Sequence, residues 1–352
     1  MLKRKLFLIS ALLLIPQLGF AWVASMGKVG RDESVRYQSS NPKVELKPTR
    51  SLNQASSEEC YLFAFVGALE VANQNGWRRP TAPEISAEFL FMEKMKAWAK
   101  DILNRNLALE AGHYFHRGGD IDQALRLSVE EGLLPQELFW PKKEFAFWDH
   151  EQIYTRSREI VKESRSAIRQ AQSEPEKQRL IARVLKKIEV VMARQGLPIP
   201  ESFRWGSRTW TATQFEQAVG IKRSTQLFMM YPKGKWDMGD PWDLRRSLYE
   251  LVEFFNGAFR YRQSSWSRIW DYIFRSIDQG LPTLLSMKWG NTYHVMNAVG
   301  YEYNGQNRVV AVKMKNSWGD EYGDRGYAYF QPADLEKHVT SIWGFWTPAL
   351  QQ

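Results

Sequence analysis

The sequence predicts an α+β protein in which a helical half precedes a β-rich half. Residues Cys60–Gln74 place apolar side chains at helical spacing, and segments 294–301 and Val309–Lys315 resemble two strands joined by a short polar loop. Between these halves, segments 153–171 and 176–195 have the pattern of amphipathic helices. With 352 residues, of which 44% are hydrophobic, the chain can bury roughly two domains of ordinary size, which excludes disorder as a description of the whole.

The N-terminus predicts export. Basic residues 3–5 precede an apolar run at 6–15, and the small residues Gly19 and Ala21 follow it. We therefore expect residues 1–21 to be a signal peptide that is cleaved after Ala21. An uncleaved anchor is the alternative, but ten apolar residues are too few to span a bilayer of about 30 Å as a helix. The expected location is secreted or periplasmic.

Charge and composition narrow the classes of partner. The chain has 48 Lys and Arg against 39 Asp and Glu, but no nucleic-acid recognition motif accompanies the basic balance, so no nucleic acid is expected. No later segment is apolar enough for stable membrane insertion after signal removal. His113, His116 and Asp120 have a spacing that can ligate a metal, but a third firm ligand is missing. We expect neither a metal nor another cofactor.

The chain has a single cysteine, Cys60, so it cannot form an intrachain disulfide. A lone buried cysteine is often only a small core residue. This one, however, opens the predicted helix Cys60–Gln74, for which Ser56 or Ser57 is the expected N-cap. Because unpaired N–H groups and the helix dipole favour negative charge in a first turn, we expect a stabilised thiolate here. Gln54, six residues upstream, supplies a side-chain amide that with the Cys60 backbone N–H can hold an oxyanion.

A thiol nucleophile needs a base, and His294 is the best placed of the five histidines because it lies at the start of a predicted strand. The second strand of the predicted hairpin runs directly into Asn316. The hairpin should bring Asn316 close to His294, where its side-chain carbonyl accepts the imidazole N–H and orients the ring. Trp318 is then expected to shield this hydrogen bond from water.

These residues resemble the papain-like cysteine peptidases. The segments that match in order and placement are Asn53 and Gln54 with Cys60, then 117–119, 299–301 after His294, 315–319 and 323–327. Segments 53–57, 60–63 and 84–91 are more similar to the bleomycin hydrolase and aminopeptidase C branch than to papain itself.

The resemblance implies a papain-like fold with two lobes, one helical and one resembling a β-barrel, and a helical insertion. It implies peptide-bond hydrolysis through a thioester, with a peptide or protein as substrate. The implied catalytic residues are the nucleophile Cys60, the general base His294, the orienting residue Asn316 and the oxyanion donor Gln54. The implied substrate contacts are the cleft wall Gly118 and Gly119, with Asp120 lining a side-chain pocket and Trp318 beside the site.

The sequence also departs from the family. Glu58 and Glu59 stand where small or neutral residues are usual, and two carboxylates next to a thiolate oppose its ionisation. We expect both to point outward, towards solvent, at the helix N-terminus. Two alternatives therefore stay open: an inactive peptide-binding protein on the same scaffold, and an acyltransferase in which an amine replaces water.

The predicted organisation has five parts. They are the signal peptide 1–21, an N-terminal extension 22–41, a helical lobe 42–149 with Cys60, a helical insertion 150–235, and a β-rich lobe 236–352 with His294 and Asn316. The helical hairpin of the insertion has 11 basic against 6 acidic residues between positions 150 and 194. It is either a solvated hairpin or a basic lid that borders the cleft and restricts substrate size.

Overall fold

A computed structural model of the chain describes residues 39–55, 57–77, 83–109, 118–139, 150–193, 200–221, 225, 227–233, 248, 250–290 and 292–345. The predicted signal peptide, most of the N-terminal extension, Arg117 and the pair His113 and His116 lie outside the described residues.

Helices dominate the first two thirds of the described chain. They are α1 Cys60–Gln74, α2 Ala87–Arg105, α3 Ile121–Glu131, α4 Gln136–Phe139, α5 His150–Arg169, α6 Glu174–Ala193, α7 Ala212–Val219, α8 Trp266–Asp278 and α9 Pro332–His338.

The strands form one large sheet and one small one. They are β1 Lys43–Glu45, β2 Phe203–Trp205, β3 Arg208–Trp210, β4 Leu227–Pro232, β5 Phe259–Ser264, β6 Thr283–Trp289, β7 Thr292–Tyr303, β8 Val309–Lys315, β9 Tyr327–Phe330 and β10 Val339–Phe345. The large sheet has the order β5-β4-β10-β6-β7-β8-β9, with β1 added along β7, and β2 pairs with β3 separately. Only β4 and β5 pair in parallel, and the large sheet does not close into a barrel within the described residues.

The element predictions near the site are confirmed. Helix α1 has the predicted bounds, and β7 and β8 form the predicted hairpin, in which Asn297 pairs with Lys315. Helices α5 and α6 begin three and two residues earlier than the pattern suggested. The predicted α+β fold is confirmed, and in the described residues the large sheet of the β-rich lobe is open.

The N-cap of α1 differs from the prediction. Glu59 occupies this position and its side chain makes no capping hydrogen bond, while its backbone carbonyl accepts from the N–H groups of Leu62 and Phe63. Ser57 lies outside the helix as part of the preceding turn, and Ser56 lies outside the described residues. The helix therefore begins two residues later than it would with Ser57 as the N-cap.

Two apolar cores support the two halves. One joins α1, α2 and α3 to α5 and α6, and the other packs α8 against the large sheet. The halves meet where α1 crosses β7: the Asn297 side chain donates to the Ala64 carbonyl at 2.8 Å, and Gly67 allows the close approach since a Cβ there would lie 3.2 Å from Asn297 Nδ2. This contact brings the N-terminus of α1 to the start of β7. Among the described residues, no helix has the length and apolar character needed to cross a membrane.

Candidate active site

The hairpin register places Asn316 beside His294. Strand β7 runs from Thr292, and β8 ends at Lys315 opposite Asn297, so the residue after β8 turns back towards the first residues of β7. His294 Nε2 lies 2.7 Å from Asn316 Oδ1, and both residues are buried. Asn316 Oδ1 also accepts the backbone N–H of Ser317 at 2.8 Å, which identifies this atom as the amide oxygen. Nε2 of the neutral imidazole must therefore carry the proton, and Nδ1 is left as the basic nitrogen.

Two tryptophans cover the imidazole. The Trp318 ring lies 4.7 Å from the His294 ring and is tilted by 31°, and the Trp289 ring meets His294 edge-on at 5.6 Å. Trp318 is half-buried and packs against the imidazole, and its predicted shielding of the hydrogen bond between His294 and Asn316 stays a prediction. Burial of this kind disfavours the charged imidazolium and lowers the pKa of His294 to about 4, with the Asn316 hydrogen bond partly opposing the shift.

Cys60 is the first residue of α1 and faces the same strand. The backbone N–H groups of Tyr61 and Val295 lie near the thiol and lower its pKa, and Val295 is the residue that follows His294. These two donors favour the thiolate, as expected in a helix first turn. Burial outweighs them, and with the Glu59 carboxylate it raises the pKa of Cys60 to about 12. The surroundings therefore oppose the expected thiolate, since burial favours the neutral forms of both the Cys60 thiol and the His294 imidazole.

Gln54 is held by both of its amide atoms. Its Nε2 donates to the Ser57 carbonyl at 2.6 Å, and its Oε1 accepts from the Ser317 hydroxyl at 2.5 Å. The backbone N–H of Gln54 donates to the Ser317 carbonyl at 2.8 Å, and Asn53 forms a β-bridge with Trp318. Since an amide NH2 group has two hydrogens, one N–H of Gln54 Nε2 is left after the Ser57 contact. The loop before α1 and the segment after β8 thus form one hydrogen-bonded unit.

Comparison with known proteins agrees with this arrangement. A family model described as papain family cysteine protease matches residues 269–340, which contain His294 and Asn316. The crystal structure of PepW from Lactobacillus rhamnosis HN001 is 15% identical, covers 88% of this chain and 83% of its own, and superposes with a TM-score of 0.63. Xylellain, a cysteine protease from Xylella fastidiosa, is 12% identical, covers 88% of this chain and 87% of its own, and superposes with a TM-score of 0.43. No curated protein sequence matches the chain.

The chain has the papain-like fold. The predicted resemblance to papain-like cysteine peptidases is confirmed by the family match over residues 269–340 and by the similarity to PepW.

In this papain-like fold, Gly118 and Gly119 lie against the first turn of α1. Gly118 has a φ of +80°, and a Cβ on Gly119 would lie 2.7 Å from the Tyr61 ring, so neither position accepts a side chain without displacement. Gly119 and Asp120 are exposed next to the buried thiol. Asp120 lies close enough to Cys60 for its charge to oppose thiol ionisation. Gly118, Gly119 and Asp120, which are predicted to contact substrate, therefore lie close to the predicted nucleophile.

The outward orientation expected for both glutamates is correct only for Glu58. Glu58 is exposed, whereas the Glu59 side chain is fully buried and points to Lys94 on α2, whose Nζ lies 2.8 Å from Oε1 and 2.9 Å from Oε2. The reason is electrostatic: a buried carboxylate is tolerated when a cation and hydrogen-bond donors compensate it, and Lys94 supplies both.

Sequence reasoning missed several residues of this region. Trp289 shields His294, Ser317 holds Gln54, and Lys94 and Tyr154 surround Glu59. Ser317 stands between Asn316 and Trp318, which the sequence did single out, so adjacency was a usable signal for it, whereas Trp289 ends the preceding strand β6. Lys94 and Tyr154 carry no such signal, because each resembles an ordinary helix residue until the helices pack. Among the described residues, no group of three or more metal-ligating side chains occurs.

Proposed function

We propose that this protein is an exported cysteine peptidase that hydrolyses peptide bonds through Cys60, His294 and Asn316. The observation that supports this best is the 2.7 Å contact between His294 Nε2 and Asn316 Oδ1, with Trp318 against the imidazole and the Cys60 thiol near the backbone N–H of the next residue, Val295. This contact leaves His294 Nδ1 as a base on the strand that faces the thiol.

Attack begins from the neutral pair. As the sulfur of Cys60 forms a bond to the substrate carbonyl carbon, the thiol proton passes to His294 Nδ1, and the carbonyl electron pair moves onto oxygen. The remaining N–H of Gln54 Nε2 and the Cys60 backbone N–H, which has no partner within the helix because it is in the first turn, stabilise that oxyanion. Imidazolium formed in this way keeps its hydrogen bond to Asn316.

Breakdown of the intermediate completes acylation. The carbon–nitrogen bond breaks, the leaving amine takes the proton from His294, and the acyl group stays on Cys60 as a thioester. Water then attacks the thioester with His294 again acting as base, which releases the carboxylic acid and restores the thiol. Exposed Gly119 presents backbone to an extended peptide, and Asp120 favours a basic side chain near the scissile bond.

One observation favours a second function. The pKa of the Cys60 thiol is raised to about 12 by burial and by Glu59, as suits a scaffold that binds peptides without cleaving them. The two functions differ in whether Cys60 reacts.

The deciding experiment is cleavage of a peptide library by the wild-type protein and by Cys60→Ser, with product masses recorded. We expect cleavage by the wild type and none by the variant, and loss of about 100-fold or more in rate for His294→Ala. His338→Ala, which removes a histidine remote from Cys60 in sequence and on another element, serves as the matched control and should keep the wild-type rate. Absence of cleavage together with retained peptide binding would establish the peptide-binding function. New amide products when an amine is added would establish acyl transfer.

Export has its own test. The charge and apolar pattern of residues 1–21 supports cleavage after Ala21. The mature protein recovered from outside the cytoplasm should then begin at Trp22 when its N-terminus is sequenced. An N-terminus at Met1 on the exported protein would refute the cleavage site.

A further inference from the structure

A buried cluster of charged and polar groups lies behind the predicted nucleophile. Lys94 Nζ contacts both carboxylate oxygens of Glu59, the Gly118 carbonyl at 2.8 Å and the Tyr154 hydroxyl at 3.0 Å, and the Tyr154 hydroxyl lies 2.5 Å from Glu59 Oε1. We call these four groups the Lys94 cluster. The side chains of Lys94 and Glu59 are both 0% exposed.

The geometry determines the charge of each member. An ammonium group has three N–H donors and no acceptor, and the hydrogen-bond partners of Lys94 Nζ include Glu59, Gly118 and Tyr154, which can all accept. The Tyr154 hydroxyl accepts from Lys94 and donates to Glu59, so its proton is accounted for as well. The cluster is therefore a cation and a carboxylate bridged by a hydroxyl, even though burial lowers the pKa of Lys94.

The cluster joins three parts of the molecule at the nucleophile. Glu59 directly precedes Cys60, Gly118 begins the predicted cleft wall, and Tyr154 lies on α5 of the insertion. Lys94 projects from α2 into the middle of these segments, and its ammonium also lies 5.4 Å from the centre of the Tyr61 ring. Movement of any one segment would break a hydrogen bond in a dry environment, which is costly.

The cluster also affects the charge felt by the thiol. Among the described residues, Glu59 and Asp120 oppose ionisation of Cys60, and the positive charge of Lys94 favours it. The Tyr61 phenol borders the thiol too, and Glu58 acts on Lys94 from the surface. His294, on the facing strand, is neutral. Without Lys94, the Glu59 carboxylate next to Cys60 would lose the cation that is paired with it in the described part of the chain.

We infer that Lys94 is a positioning residue for Cys60, which compensates Glu59, holds Gly118 in place and keeps the thiol able to ionise, and that Tyr154 connects the insertion to this role. The inference rests on the proposed function only in taking Cys60 as the nucleophile. It assigns the insertion a part in supporting the site, where the sequence suggested only a solvated hairpin or a lid.

Alkylation of Cys60 tests the inference, and because the chain has one cysteine, the labelled site is unambiguous. The rate of reaction with iodoacetamide is measured by mass spectrometry from pH 7 to 10 on the full mature chain. Below the pKa of the thiol, a tenfold change in rate corresponds to a change of about one in that pKa. Lys94→Met should slow alkylation about tenfold, because Glu59 is then uncompensated. Glu59→Gln should accelerate it several-fold, because a negative charge beside the sulfur is removed.

Opposite changes in the alkylation rate of Lys94→Met and Glu59→Gln would separate this role from a purely structural one. If the cluster only held the fold together, both variants would loosen the site and change the rate in the same direction. The double variant Glu59→Gln with Lys94→Met should return close to the wild-type rate. Lys96→Met is the matched control, since Lys96 lies on the same helix but pairs with Glu93 and Glu189; it should leave the rate unchanged.

Each outcome is decisive. Equal rates in all variants, or the same direction of change in both single variants, would overturn the inference even if peptides are cleaved. Opposite changes in a protein that cleaves no peptide would support the inference and refute the peptidase. If Lys94→Met does not fold, Glu59→Gln and the double variant still show the direction in which the charge of Glu59 changes the alkylation rate. The inference fails if Glu59→Gln does not accelerate alkylation.

Discussion

At the scale of single residues, the environment of His294 is what most distinguishes the site from an exposed histidine and asparagine pair. Trp289 and Trp318 remove water from the ring, while Asn316 fixes which nitrogen carries the proton. The same burial that strengthens the hydrogen bond lowers the pKa of the imidazole to about 4. A neutral His294 is thus a feature of the folded state, and it has a consequence for stability.

The stability of the protein should depend on His294 in mild acid. The folded state keeps the imidazole neutral down to about pH 4, whereas the unfolded chain protonates it below its ordinary value of 6.5. Unfolding therefore takes up a proton in this window, and stability is full above pH 6.5 and falls as the pH drops towards 4. Between pH 7 and 4, wild type should lose about 3 kcal/mol more than His294→Gln in urea unfolding. An equal loss of unfolding free energy in both proteins between pH 7 and 4 would contradict a buried, neutral imidazole.

Gly119 is the second residue whose identity the packing requires. Replacement by alanine places a methyl group 2.7 Å from the Tyr61 ring, in the first turn of the helix that carries Cys60. We expect Gly119→Ala to destabilise the protein by about 1–3 kcal/mol and to raise KM for peptides, since the displaced wall also faces the predicted substrate. Gly305→Ala is the matched control, because a Cβ there meets nothing within 4 Å. An effect of equal size in both variants, by thermal unfolding, would contradict the close contact.

At the scale of elements, the insertion is part of the helical core. Helices α5 and α6 contribute buried residues to the same apolar core as α1 and α2, among them Val161, Ile181 and Ile188. Tyr154 of α5 also reaches the Lys94 cluster. Deleting the insertion to test substrate restriction would therefore expose core surface, and point substitutions are the better probe.

Two positions on α6 provide that probe. Ile188 is 0% exposed, and Val190, two residues later, is 44% exposed. Ile188→Ala should lower the free energy of unfolding by about 2–5 kcal/mol, because it removes packed methyl groups and leaves a cavity. Val190→Ala should change it by less than about 0.5 kcal/mol. If urea unfolding showed similar small effects for both, α6 would not be packed as described.

At the scale of the whole molecule, Arg50 joins distant segments of the chain. Its guanidinium contacts Glu70 Oε1 at 2.9 and 3.1 Å, the Ile85 carbonyl at 2.7 Å and the Gln136 side chain at 3.0 Å. Glu70 lies on α1, Ile85 precedes α2, and Gln136 begins α4. The segment before α1 is thus fastened to three parts of the helical half through one planar group with several donors.

Removal of the Arg50 guanidinium should lower the stability of the protein. Arg50→Met leaves the Glu70 carboxylate buried without its partner, and burial already raises the pKa of Glu70. We expect a loss of about 3–5 kcal/mol in the free energy of unfolding. Arg105→Met removes an arginine whose pair with Asp101 is largely at the surface, and it should cost at most about 1 kcal/mol. Equal midpoints for the two variants in denaturant would contradict the buried pair.

Local patterns were enough to predict helix α1 and the hairpin β7–β8, which sets Asn316 near His294, whereas a shared site for these residues with Cys60 and Gln54 was predicted from the resemblance to papain-like peptidases. Helical and strand periodicities are properties of neighbouring residues, and a tight hairpin links residues only 22 apart in the chain. The sequence pattern therefore predicts those elements and contacts whose residues are close together in the chain or are joined by a short connection.

Only the tertiary structure decided which way Glu59 points, that Lys94 and Tyr154 meet it, that Trp289 covers His294, and that the sheet stays open. Glu59 and Lys94 are 35 residues apart, and Glu59 and Tyr154 are 95 apart, on three different helices. Their contact depends on how those helices pack, and packing is determined by the fit of whole surfaces and not by the period of any one segment. A carboxylate beside a helix N-terminus has the same local pattern whether it faces water or a buried ammonium group, so the sequence of that segment alone does not distinguish the two.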